Sequence, residues 1–405
     1  MKYLADFNVP IPSFRPDIEI FIYTEASGGE SLYLKCPHGF TDELSLPATL
    51  LPLLELLNGT NSIITIASIL NQTATIPIEP AALALFLKDL DELGFLQTPI
   101  FYQRKEEIQR FWAAKVRPSV CAGGAYPHSF RELSEYLDGI MRRSSPFEIP
   151  ACGIIAPHID LRVGSSAYSP AYNAIRGSQA DLFVIFATSH YANYDLFIPT
   201  AKDFETPLGI VETDRQLLKT ITQLYPFGLP TNDIAHKPEH SIELELIFLQ
   251  HCFSGRNFTI LPILVTSFHS FIQQGVLPSQ HSPVKEFCET VRGVVEQSGR
   301  NAVYISSGDL GHIGRKFGDN FDADPMLPIL KNEDIMLLNS LKMCDTVGFF
   351  NQVATSNDKW KICGLSPNYM MLETLRPTRG EILYYEQWNE IEQQSAVSYA
   401  SLAFY

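Results

Sequence analysis

Four uninterrupted apolar runs constrain this chain most. They are "CGIIA" at 152–156, "LFVIFA" at 182–187, "FTILPILV" at 258–265 and "AVYIS" at 302–306. None alternates apolar with polar residues, so none has a solvent face, and each is too short for an ordinary buried helix. Polar, helix-compatible stretches separate them. Continuous apolar strands with helices between them predict an α/β fold, a central parallel or mixed sheet flanked by helices on both faces. Two further strands are expected near the end, in "ILYYEQW" and "SAVSYASLAFY".

In such sheets ligands bind beyond the carboxyl ends of the strands. The first run leads into Pro157-His158-Ile159-Asp160, and the second into Thr188-Ser189-His190. The fourth leads into "SSGDLGHIG", with Asp309 and His312. Three strands therefore bring histidine to one sheet edge. Two histidines with one anionic ligand and open positions form a non-heme iron pattern. Imidazole also suits zinc and copper. The anionic ligand stays open at this level: Asp160, Asp309 or a cysteine.

"KICGLSPNYMMLETL" at 361–375 offers Cys363. Ser366 reads as an N-cap and Pro367 as the first helical residue. A cysteine just ahead of a helix N-terminus is expected to have a lowered pKa, which favours the thiolate. "HKPEHSIELELIFLQ" at 236–250 places His240 and Glu243 three residues apart, on one face if the helix has already begun. That spacing suits a metal pair or a capped helix start equally.

Residues about 1–97 read as a separate module. "LPATLLPLLELLNGTNSIITIASIL" suggests a helix, an Asn58-Gly59 turn and a short helix. Leu83, Phe86, Leu87, Leu90 and Leu93 then mark a longer amphipathic helix, closed by Gly94 and followed by a strand start at Phe95-Leu96. The pattern is winged-helix-like. DNA binding is excluded by charge: residues 30–97 hold two lysines against eight acidic side chains. Residues 98–116 are expected to form a linker helix, and 117–405 the α/β domain.

The net charge of −15 argues against nucleic acid or an anionic membrane as the main partner. No run of about 18 apolar residues is present, so no membrane span is expected. The start, "MKYLADFNVPIPSF", lacks a signal-peptide apolar run. Seven cysteines without a C-x-x-C suggest free thiols in a reducing, cytoplasmic setting.

The ordered segments "SVCAGGAYP", "APHIDLRVGSSAYSPAY", "ATSHYA", "EHSIELEL", "FTILPILV", "SSGDLGHIG" and "ICGLSP" resemble the Memo family, protein B of the AmmeMemoRadiSam system. The resemblance covers residues 117–405. It implies a fold similar to class III extradiol dioxygenases, with His158, His190 and Cys363 as ligands of a single metal ion: Fe(II) first, copper or zinc as alternatives. It implies an acid/base role for His312 beside Asp309, and a pocket or second-shell place for His240. The sequence departs at Ile159-Asp160-Leu161, where relatives read "AGY" and where Asp160 is a candidate to ligate the metal or orient His158. It also departs at Leu310-Gly311. The helical module resembles PqqD-like domains through "LLELLNG" and "LFLKDLDELGFL", which implies a peptide or protein substrate. The system implies a radical-SAM partner. The same pocket is also compatible with peptide or phosphopeptide binding, or with zinc hydrolysis. Oligomeric state is not legible.

Overall fold

A computed structural model describes residues 2–24, 28–37, 39–41, 43–74, 76–192 and 195–405. The chain divides into two compact units, 1–113 and 114–405.

The first unit contains α1 (Lys2–Ala5), β1 (Glu19–Thr24), β2 (Glu30–Lys35), β3 (Leu44–Pro47), α2 (Leu51–Leu56), α3 (Ile63–Leu70), α4 (Pro80–Glu92) and α5 (Pro99–Ala113). The strands form a small antiparallel sheet in the order β1-β2-β3. Leu83, Leu87 and Leu90 of α4 are buried as their spacing predicts. Leu93 is 38% exposed, because the chain turns away at Gly94 (φ +86°). The Phe95 N–H closes the turn onto the Leu90 carbonyl at 2.9 Å, a glycine-dependent helix stop. No strand follows: Leu96 makes a single bridge to Phe14, and α5 begins at Pro99. The expected linker helix belongs to this unit. Phe101, Ile108 and Phe111 are buried. Arg104 donates to the Leu93 and Glu92 carbonyls, capping the end of α4.

The second unit contains β4 (Val116–Arg117), α6 (Phe130–Met141), β5 (Gly153–Ala156), α7 (Leu161–Ile175), β6 (Leu182–Thr188), β7 (Phe197–Pro199), β8 (Asp203–Thr206), β9 (Gly209–Thr213) and α8 (Arg215–Leu224). It continues with α9 (Glu243–Cys252), β10 (Thr259–Val265), α10 (His269–Gln274), α11 (Ser282–Gln297), β11 (Ala302–Ser307), β12 (His312–Gly314) and α12 (Leu327–Lys342). It ends with α13 (Thr346–Thr355), α14 (Leu365–Leu375), β13 (Gly380–Glu390) and β14 (Ser395–Phe404). Among the described residues, eleven strands form one mixed sheet, ordered β12-β14-β5-β11-β6-β10-β9-β8-β4, with β13 paired to β14 and β7 to β10.

The four apolar runs are its parallel centre, β5, β11, β6 and β10. Every residue of β6 is buried, as a strand covered on both faces requires. One apolar layer includes Leu218 and Ile221 of α8, Phe287 and Val291 of α11, and Tyr369 and Met370 of α14. The other includes Leu137 of α6, Tyr168 and Tyr172 of α7, and Phe248 of α9. Hydrophobic burial on both faces holds the strand ends level: Ser307 lies opposite both Ala156 and Ala187. No helix among the described residues is long and apolar enough to cross a membrane. The seven cysteines are free.

Candidate metal centre

His158, His190 and Asp309 each stand two positions beyond the last residue of their strand, β5, β6 and β11. Because those strands are adjacent in register, all three side chains reach one edge of the sheet. Cys363 enters from the loop before α14. The ligand atoms of His158, His190 and Cys363 lie within 4.8 Å of one another. Cys363 Sγ is 3.3 Å from His158 Nε2. Metal–sulfur and metal–nitrogen bonds of usual length, at tetrahedral angles, separate their donor atoms by about 3.3–3.6 Å. The Cys363–His158 pair has the separation that a shared metal ion requires, and His190 stands close enough to join it.

The approach of the Cys363 loop depends on two glycines. A Cβ on Gly308 would lie 2.5 Å from Gly364 Cα, and one on Gly364 would lie 2.6 Å from the Asp309 carbonyl oxygen. With both absent, the Gly364 N–H reaches that carbonyl at 2.8 Å, and the Asp309 N–H reaches the Cys363 sulfur at 3.3 Å.

Hydrogen bonding sets the imidazole tautomers. Ser307 Oγ donates to the Ser241 carbonyl at 2.7 Å, so it accepts from His158 Nδ1 at 3.4 Å. That leaves His158 Nε2 as a lone pair facing Cys363. His312 Nδ1 lies 3.0 and 3.1 Å from the carbonyls of Leu310 and Lys361, so it carries the proton and Nε2 is free. Burial pushes His158 well below the usual imidazole range, helped by His190, His240 and His312. It pushes His312 down to about 4. Both are neutral at pH 7.

Burial pushes Asp309 up to about 7, against the opposing His158 N–H bond. It also drives the Cys363 thiol well above its ordinary value, with the Asp309 charge adding to the effect. The expected helix-dipole lowering of the Cys363 pKa is not what the fold produces. The helix begins at Leu365 with Gly364 as its cap residue, and burial outweighs the N–H bond that favours the thiolate. Ser366 lies inside the helix and is not its N-cap.

His240 joins the cluster beside His190, their rings stacked 4.8 Å apart. Both rings answer to Glu239, which sequence reasoning missed. Its carboxylate accepts from the His190 N–H at 2.8 Å and meets His190 Nδ1 at 2.9 Å. It also accepts from the N–H groups of His240 and Ser241, and lies 3.3 Å from His240 Nδ1. Burial pushes Glu239 up, but the His190 hydrogen bond and the neighbouring imidazoles outweigh it, holding it down at about 2. An anion on Nδ1 leaves Nε2 for a ligand and raises its basicity. The signal was the Glu-His pair of "PEHSIE". The helical spacing that paired His240 with Glu243 misled, because α9 begins only at Glu243 and residues 239–242 are a non-helical turn.

Three candidate residues take other places. Glu243 is turned to Arg117, Ser119, Tyr126 and the backbone N–H groups of Val120 and Cys121. Asp160 caps α7 and pairs with Arg162, which leaves it no part in orienting His158. Asp309 does not hold His312 Nδ1; two carbonyls do. Asp309, His312 and Cys363 nonetheless form a further group with ligand atoms within 4.8 Å.

The family model described as "Memo-like protein" matches residues 117–403. The chain belongs to the Memo family. A MEMO1 family protein of Aquifex aeolicus is 30% identical over 382 residues, covering 93% of this chain and 96% of its own. That alignment includes most of the first unit as well as the Memo unit. A MEMO1 family protein of Methanosarcina barkeri is 26% identical over 297 residues, 71% of this chain and 99% of its own. One from Pyrococcus furiosus is 25% identical over 302 residues, again 71% of this chain and 98% of its own. These two relatives match a share of this chain about equal to the length of the Memo unit.

Proposed function

We propose that this Memo protein is a metal-dependent oxidoreductase acting on a peptide or protein. One metal ion, iron foremost with copper as the alternative, is held by His158, His190 and Cys363. Such an ion supplies one-electron chemistry with oxygen species at its open positions. The observation that carries the reading is the 3.3 Å approach of Cys363 Sγ to His158 Nε2 with a tautomer that leaves that nitrogen unprotonated. The thiol proton between them is what a cation would displace.

His312 is the proton carrier. Its Nδ1–H is pinned by two carbonyls, its Nε2 is unprotonated, and its Phe317 neighbour packs edge-on at 5.0 Å, limiting ring rotation. Asp309, buried beside His158 and held near pH 7, exchanges a proton more readily than an ordinary aspartate. A thiolate ligand donates more charge than a carboxylate and is itself oxidisable, which disfavours catechol cleavage.

The peptide reading is supported by β1. This strand is exposed along its length and shows Ile20, Phe21, Ile22 and Tyr23. It lies at the end of its sheet, with one backbone edge unpaired among the described residues. Such an edge accepts an extended peptide as an added strand. The resemblance to protein B of the AmmeMemoRadiSam system supports a radical-SAM enzyme as the partner.

The test is metal content of protein purified anaerobically without a tag, for wild type and Cys363→Ser. About one equivalent of iron or copper, lost in the variant, supports the reading. Zinc alone, without oxygen-dependent turnover, supports hydrolysis instead. No metal even after Fe(II) is offered leaves a peptide- or phosphopeptide-binding pocket, and the enzyme reading falls.

A further inference from the structure

The segment "SVCAGGAYP" has no part in the candidate metal centre, yet it is tied to it through two buried charges. We infer that Arg117 and Glu243 form a clasp that positions Glu239, and through it the imidazoles of His190 and His240. The inference rests on the metal-centre reading for its purpose.

Arg117 is fully buried at the end of β4. Its Nε donates to the His236 carbonyl at 2.8 Å, and a second nitrogen donates to the Glu239 carbonyl. The third reaches both the Pro118 carbonyl at 3.2 Å and the Glu243 carboxylate. One rigid guanidinium thus grips both ends of the turn 236–239 and the first residue of α9. Lysine, a single point donor, has no equivalent geometry. Glu243 is held in turn by "SVCAGGAYP": Ser119 Oγ at 2.7 Å, the Val120 and Cys121 N–H groups at 3.0 and 2.9 Å, and the Tyr126 hydroxyl.

The turn between His236 and Glu243 lacks the internal ladder of a helix or strand. Its carbonyls at 236 and 239 take their hydrogen bonds from Arg117. The Glu239 carbonyl is fixed by the clasp on one side, while its carboxylate faces two imidazoles on the other. A shift of about 1 Å at Glu239 would break a 2.9 Å bond to His190 Nδ1 and release that ring from its tautomer. Buried ion pairs contribute little net stability compared with apolar replacements, but they can specify a single arrangement. Arg117 and Glu243 are therefore positioning residues, two and three hydrogen bonds removed from His190.

The test uses the full-length chain with Arg117→Lys, and a double variant, Arg117→Met with Glu243→Leu, that replaces both charges by apolar groups. Two readouts are needed. The first is the hydrogen-bonded Nδ1–H resonance of His190 in protein stripped of metal, by ¹⁵N-resolved NMR. The second is the Kd for Co(II), added alone. The clasp predicts that this resonance is lost to exchange while the fold is retained, and that Co(II) binds about 10- to 100-fold more weakly, the range for lost outer-shell partners. An unchanged His190 resonance and a Kd within about twofold of wild type, in a folded variant, would overturn it. If the double variant does not fold, Arg117→Lys decides alone. If wild type takes up no Co(II), the metal reading fails separately and the His190 resonance still decides the clasp.

Discussion

Cys363 Sγ and His158 Nε2 lie 3.3 Å apart across 205 residues of sequence. His158 arrives on the parallel strand β5, and Cys363 on a loop admitted by Gly308 and Gly364. Burial favours the protonated thiol and the neutral imidazole, so one proton lies between the two atoms that the proposed metal ion would join.

The first consequence concerns ligand removal. His158→Ala and Cys363→Ser should each lower bound metal from about one equivalent to below about a tenth, measured by mass spectrometry after dialysis. Circular dichroism should stay unchanged. Full metal content in His158→Ala would remove the central claim.

Metal binding should release close to one proton. Burial raises the Cys363 thiol and lowers His158, so at pH 8 the sulfur carries the only proton on this pair that must leave. Affinity should rise about tenfold per pH unit while the thiol remains protonated. Titration calorimetry in two buffers of different ionisation enthalpy counts the protons. A release near zero would mean that the thiolate is already present.

Asp309→Asn should stabilise the protein at pH 8. The carboxyl is pushed up to about 7 in the folded chain, above its unfolded value, so the folded state holds more protons between those two values. Its contribution therefore falls as pH rises through that window. Asparagine cannot ionise, and its oxygen still accepts the His158 N–H. The gain should be about 1–3 kcal/mol at pH 8 and near zero below pH 4, read by urea denaturation. An equal effect at both pH values would rule out the titration as its cause.

Gly308→Ala should open the centre without touching a ligand. Its Cβ would meet Gly364 Cα at 2.5 Å, backbone against backbone. A stability loss of about 1–3 kcal/mol is expected, with metal affinity reduced as well. Wild-type affinity in this variant would show that the Cys363 loop tolerates displacement.

In the first unit, Ile22→Lys should abolish capture of an extended peptide substrate yet leave thermal stability within about 0.5 kcal/mol, because Ile22 is 57% exposed. Unimpaired peptide binding by fluorescence anisotropy would exclude β1 as the docking edge.

Much of this protein was determined by local sequence. The parallel centre follows from the four apolar runs, because a strand buried on both faces must be apolar at every position. His158, His190 and Asp309 follow from reading what comes just after those strands. The close of α4 follows from Gly94, since the left-handed turn there suits a residue without a side chain. Other features required the tertiary structure. Residues 19–24 are exposed on both faces and carry no alternation, so β1 is invisible until it pairs with β2. Glu239 and Glu243 are both glutamates four residues apart. Only the packing of Arg117 against the turn before α9 sends one to the imidazoles and the other to "SVCAGGAYP". The state of Cys363 likewise belongs to the fold. A nearby helix start suggests a thiolate, but in the assembled core the cost of burying that charge exceeds what the local N–H donor returns, which favours the protonated sulfur.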